Sequence, residues 1–191
     1  IEYHDYLSLA LERNPDYVPA LVQRAGYYHS VGQLQQARTD VDRALELEPD
    51  SQQVLLQSGR IYTQLGDYEV AEDRLEQAQR LNPHRALIFT YIGEMRLRQG
   101  RFADAEQQFS QAISLEPGER GAWWFFKRRA EALFRLARFS ESLADLQRAL
   151  ELRPTDLSTL VWVGLSNIAG CRNEEFKQGI VILADAAGAH P

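Results

Sequence analysis

Six of the seven prolines, Pro15, Pro49, Pro83, Pro117, Pro154 and Pro191, recur at separations of 34, 34, 34, 37 and 37 residues. A fixed period of this length means that each unit cannot bury its apolar face alone and must stack on its neighbours. The segments that the prolines close are alike: Ala44-Leu-Glu-Leu-Glu-Pro49, Ala78-Gln-Arg-Leu-Asn-Pro83, Ala112-Ile-Ser-Leu-Glu-Pro117 and Ala149-Leu-Glu-Leu-Arg-Pro154. Seventeen residues before Pro49, Pro83 and Pro117 stand Gly32, Gly66 and Gly100, and Ala137 takes that place before Pro154. Helical patterning flanks each of these positions, so the unit reads helix, tight turn, helix, proline.

The second unit shows why these residue types recur. Leu55, Gly59 and Tyr62 share one face of the first helix, and Tyr68, Ala71, Leu75 and Ala78 share one face of the second. Gly66 permits a left-handed turn between them, and Asp67 is expected to cap the second helix. The small residues Gly59, Ala71 and Ala78 let two helix backbones approach, while Tyr62, Tyr68 and Leu75 fill the space beside them. Pro83 cannot continue the helix and suits the start of the next.

This pattern resembles the tetratricopeptide repeat. The third unit carries it in Phe89, Gly93, Gly100, Phe102, Ala105, Phe109, Ala112 and Pro117, and the first in Leu21, Ala25, Tyr28, Gly32, Ala37, Ala44 and Pro49. Arg96 and Leu133 depart from the tyrosine of Tyr28 and Tyr62, and Ser142 from the small alanine. The resemblance implies an all-α fold, a right-handed α-solenoid of stacked antiparallel helix hairpins, with eleven helices expected. A single array over 1–191 is expected: a half repeat at 1–15, repeats at 16–49, 50–83, 84–117 and 118–154, and a degenerate repeat at 155–191. One extra triplet falls near Arg120-Gly121-Ala122 and another near Ala169 to Arg172. The opening half repeat leaves Tyr3, Leu7 and Leu11 without their usual cover, so a segment of a longer protein is expected, and with it self-association through that end.

Composition narrows the function. Twenty-one Lys and Arg against 27 Asp and Glu give a net charge of −6, which argues against a phosphate-binding surface, so nucleic acid is an unlikely partner. A lone cysteine, Cys171, makes no internal disulfide and no thiolate metal site, and no base is identifiable beside it. His4, His29, His84 and His190 are scattered with no metal-ligand spacing, and acidic pairs such as Asp40 with Asp42 fit exposed helix faces. Neither a phosphate loop nor a nucleophile elbow occurs, so no enzyme activity, cofactor or metal is expected. No apolar run approaches a membrane span, and cytoplasmic residence is the expectation, although the sequence names no compartment.

The remaining candidate is surface. The resemblance places the first helix of each hairpin on a concave wall that holds an extended peptide or partner helix. After the packing residues are removed, each first helix keeps one stripe. These are Pro19, Val22, Gly26 and His29; Gln53, Leu56, Arg60 and Thr63; Leu87, Thr90, Glu94 and Leu97; Trp124, Lys127, Glu131 and Phe134; and Ser158, Val161, Leu165 and Ile168. Tyr91, Arg128 and Trp162 flank them. The expected groove residues are therefore Arg60, Leu87, Tyr91, Glu94, Leu97, Trp124, Lys127, Arg128, Glu131, Phe134, Val161, Trp162 and Leu165.

The segment Trp123-Trp-Phe-Phe126 is open to two readings. Four successive aromatics cannot all face one core, so at least one is expected to be exposed. Either they pack against neighbouring hairpins, or Trp124 with Phe134 forms an aromatic anchor beside Lys127, Arg128 and Arg135 for an acidic group. The carboxylate clamp of chaperone-binding relatives is not reproduced: its register holds Leu56, Arg60, Tyr91, Trp124 and Arg128 here. An asparagine ladder is missing too. The expected function is a non-catalytic scaffold or adaptor for a protein or peptide. A spacer or self-association module, or the regulatory arm of a larger enzyme, is the alternative.

Overall fold

A computed structural model describes residues 3–116, 121–170, 178–179 and 181–182. It contains ten α-helices and, among the described residues, no strand. The helices are α1 (Tyr3–Arg13), α2 (Val18–Ser30), α3 (Leu34–Leu47), α4 (Gln52–Leu65), α5 (Tyr68–Leu81), α6 (Ala86–Arg98), α7 (Phe102–Leu115), α8 (Ala122–Arg135), α9 (Phe139–Leu152) and α10 (Leu157–Ala169). The eleventh expected helix falls largely outside the described residues, although 178–179 and 181–182 are helical. Cys171 and Arg120 lie outside them as well.

Local sterics set the turns. Gly32, Gly66 and Gly100 have φ of 77°, 89° and 75°, and Ala137 occupies the same left-handed region at 59°. At Gly66 the chain reverses so sharply that the Asp67 N–H donates back to the Tyr62 carbonyl at 3.0 Å, satisfying an acceptor at the end of α4. Asp67 does not cap α5 through its side chain as expected; its backbone carbonyl instead accepts the Ala71 N–H at 3.0 Å. Asp156 is a true cap, accepting the Thr159 N–H at 2.9 Å at the start of α10.

The chain divides into two compact units, residues Ile1–Met95 and Arg96–Pro191. In the first, Leu21, Ala25, Ala37, Val41, Ala44, Val54 and Ile61 form one buried cluster, and Leu55, Tyr62, Ala71, Leu75, Ala78 and Ile88 another. Close approach of α4 and α5 requires Gly59: a Cβ there would stand 2.6 and 2.7 Å from Leu75 side-chain carbons. In the second unit, Ala105, Phe109 and Ala132 pack together, as do Ala130, Leu146 and Val163. Ser142 is fully buried there, and its hydroxyl donates to the Ala130 carbonyl at 2.9 Å, so the departure from alanine leaves no unmet polar atom.

Each unit also contains a charged clamp that patterning does not foretell. Arg24 donates through Nε and Nη2 to the two Asp40 oxygens, both at 2.7 Å, and through Nη1 to Ser8 Oγ at 3.3 Å. Arg129 makes the same fork on Asp145, both at 2.7 Å, and reaches Ser110 Oγ at 3.0 Å. Asp40 is only 4% exposed, which corrects its assignment to an exposed face. Hydrogen bonding to Asp40 and Asp145 raises both guanidinium pKa values despite the opposing effect of burial.

Candidate functional site

In the first unit, α2, α4 and α6 present equivalent faces around a cavity of about 200 Å³. Val22, Leu56 and Leu87 supply its apolar lining, with Val22 and Leu56 buried. Gln23, Gln53 and Gln57 supply amides, and Arg85 and Tyr91 close one side. Gly26 keeps the space open, because a Cβ there would meet Gln57 Nε2 at 2.9 Å. Arg85 is positioned through Gln52: its Nη1 donates to Gln52 Oε1 at 2.8 Å, and Gln52 Nε2 donates to the Ala78 carbonyl at 3.1 Å. The Arg60 guanidinium leans on the Tyr91 ring, 5.9 Å from its centroid. Loss of solvent raises the Tyr91 phenol pKa, and the Glu94 carboxylate adds to the rise, while Arg60 and Arg85 oppose it.

Of the residues expected on the groove from sequence, the first unit thus gathers Arg60, Leu87 and Tyr91, with Glu94 close enough to act on the phenol. Gln23, Gln57 and Arg85 were missed. A signal for two of them exists, since Gln23 and Gln57 stand 34 residues apart and so repeat in register.

In the second unit the expected stripe is largely occupied with itself. Lys127 Nζ lies 5.6 and 5.4 Å from the Trp123 and Trp124 ring centroids, is paired with Asp156 at 3.3 Å and donates to Ser158 Oγ. Burial would raise the Asp156 pKa, but hydrogen bonds from Thr159 and Ser158, together with Lys127, outweigh it and hold the carboxyl far below its ordinary range. Arg128 stacks on Trp124 at 4.9 Å and pairs with Glu131 at 2.7 Å.

Of the two readings of the aromatic segment, the structure has Trp124 and Phe134 in two separate aromatic groups. Trp124 meets Trp123 edge-on at 5.5 Å, whereas Phe134 meets Phe139 and Trp162, each at 5.3 Å. Phe125 and Phe126 are buried, while Trp123 and Trp124 are half-buried, so none of the four successive aromatics is fully exposed. Trp162 packs on the Ala130 cluster and Leu97 on the Phe109 cluster, which makes both packing residues. Val161 and Leu165 remain open, each 37% exposed. Among the described residues no three His, Cys, Asp or Glu side chains gather to hold a metal.

The pattern defining the Cilia and flagella-associated protein 70 C-terminal domain, a tetratricopeptide-repeat domain, matches residues 2–178. The chain belongs to this family. No curated protein matches its sequence. As a tetratricopeptide chain it is similar in fold to a protein of the APC/C hetero-tetramer Cut9-Hcn1, with a TM-score of 0.85 at 17% identity over 98% of this chain and 37% of that one. A tetratricopeptide repeat protein from Parabacteroides merdae superposes with a TM-score of 0.81 at 20% identity, covering 98% and 71% of the two chains. YrrB, described as a tetratricopeptide protein with an unusual peptide-binding site, gives 0.64 at 20% identity, covering 96% and 93%. These likenesses show an all-α solenoid of helical hairpins. Among the described residues no helix is long and apolar enough to cross a membrane.

Proposed function

We propose that the chain is a non-catalytic adaptor that holds a peptide or protein partner on the first-helix faces of its repeats. The observation that carries this reading is the first unit's cavity. Three successive first helices contribute an apolar floor and three amides to one concave site, and Arg85, just before α6, adds a guanidinium, the composition of a surface that seats a side chain and pairs with a peptide backbone. The peptide-binding site named for YrrB and the hetero-tetramer named for Cut9-Hcn1 support the same use of the fold. In the second unit, the open side chains Val161 and Leu165 are the apolar surface available to such a partner.

Selection of a displayed random-peptide library on the chain tests the proposal, with Gly26→Leu as the counter-target. The substitution fills the cavity from α2 and leaves the buried clusters untouched. Enrichment of peptides that bind only the unsubstituted chain is the expected result. Absence of enrichment, with both proteins equally helical, would overturn the reading and leave a spacer, a self-association module or the regulatory arm of an enzyme in its place.

A further inference from the structure

Resting on that reading, we infer that the first unit's cavity selects an extended peptide segment by an acidic side chain. Five of the unit's eight arginines, Arg24, Arg38, Arg43, Arg74 and Arg80, each have a carboxylate within 4.0 Å. Arg85 and Arg60, the two beside the cavity, have none among the described residues: Arg85 is held by the Gln52 amide and Arg60 rests on the Tyr91 ring. The cavity lining contains no carboxylate either. In a chain of net charge −6, the Arg60 and Arg85 guanidiniums outnumber Glu94, the carboxylate that acts on Tyr91, so this wall is a local inversion of sign and is complementary to a carboxylate.

The amides determine how the rest of the ligand lies. Gln23, Gln53 and Gln57 line the cavity with side-chain amides, each carrying both a donor and an acceptor, the two functions that a peptide group requires. Gln23 and Gln57 sit on successive first helices, packed roughly 8–10 Å apart. An extended chain rises about 3.3 Å per residue, so that separation spans about three residues. A backbone running along the amides can deliver a side-chain carboxylate to Arg85, where the guanidinium offers a charge-assisted hydrogen bond. A neighbouring small apolar side chain then fills the floor over Leu56 and Val22.

The test uses two pools of N-acetylated, C-amidated nonapeptides with randomised flanks, one with Asp or Glu at the centre and one with Asn or Gln. Amidation removes the terminal carboxylate, so side-chain chemistry alone is read. Retention on the immobilised chain should favour the acidic pool by about tenfold, as expected for one charge-assisted contact. Arg85→Gln should abolish the preference with helicity unchanged, and Gly26→Leu should abolish retention of both pools. Gly26→Ala, which only displaces the Gln57 amide, provides a milder second variant. Equal retention of both pools, lost in Gly26→Leu, would overturn acidic selection while leaving groove binding intact. Retention of neither pool, or retention unaffected by Gly26→Leu, would overturn both.

Discussion

Replacing Ala137 by glycine should stabilise the chain, although it deletes a methyl group. Ala137 turns the chain between α8 and α9 at φ 59°, where the equivalent turns have glycine at 75° to 89°. An L residue in the left-handed region costs roughly 1–2 kcal/mol. Glycine recovers that cost but adds freedom to the unfolded chain, worth about 0.4–1 kcal/mol in the other direction. The Ala137 side chain is exposed, so no packing is lost, and the net gain lies between about 0 and 1.6 kcal/mol, centred near 0.8 kcal/mol. For a chain of this size that raises the melting temperature by about 1–4 °C. Gly66→Ala is the converse: an added Cβ there meets nothing within 4 Å, so its cost is purely conformational. Urea midpoints by circular dichroism give both values. Hydrogen exchange of the α8 and α9 amides should localise the Ala137→Gly gain, because repeat arrays respond locally. If both substitutions lower stability, left-handed strain is not what governs these turns.

Other perturbations read other layers of the structure. Gly59→Leu must displace Leu75 or separate α4 from α5, a loss of about 1–3 kcal/mol; an unchanged melting curve would refute the helix register. Asp145→Ala leaves Arg129 without its carboxylate in a largely enclosed position and should cost about 2–4 kcal/mol, with Arg129→Met recovering part of it in the double variant. Asp156 has a depressed pKa, so its stabilisation is complete above the ordinary carboxylate range and is lost as pH falls below it. The urea midpoint should therefore decline less steeply on acidification in Asp156→Asn than in the unsubstituted chain, and parallel acid profiles would exclude the contribution.

The repeat period, the turn positions and the helix order were legible because each depends on local chemistry. A left-handed turn admits few residue types, and an apolar face at helical spacing reports itself within a few residues. The clamps were not legible in this way. Arg24 and Asp40 are 16 residues apart on two helices of a hairpin, and charge alone suggested solvent; the same spacing at Arg129 and Asp145 was the available clue. At the candidate site, Arg60 and Leu87 followed from the helical stripe, and Tyr91 from its place beside it. Arg85 did not, because it precedes the first residue of α6 and belongs to no stripe. The aromatic segment misled for a different reason. Composition shows that Trp124 and Phe134 are adhesive, but only packing shows that each already has an aromatic neighbour.

The two clamps limit how the array can be rearranged. Ser8 and Arg24 are 16 residues apart, whereas Ser110 and Arg129 are 19 apart, yet both arginines reach the serine of the preceding helix and the aspartate 16 residues onward. The three additional residues fall between Ser110 and Arg129, and the joint is made in both places. Repeat proteins grow and shrink by gaining or losing whole units, and most hairpins can be exchanged because their contacts are generic apolar ones. A hairpin with the arginine is keyed to the helix before it. Moved behind a helix without the serine, it would leave a guanidinium donor unmet, so the sequence order of these hairpins is under a constraint that the period alone does not impose.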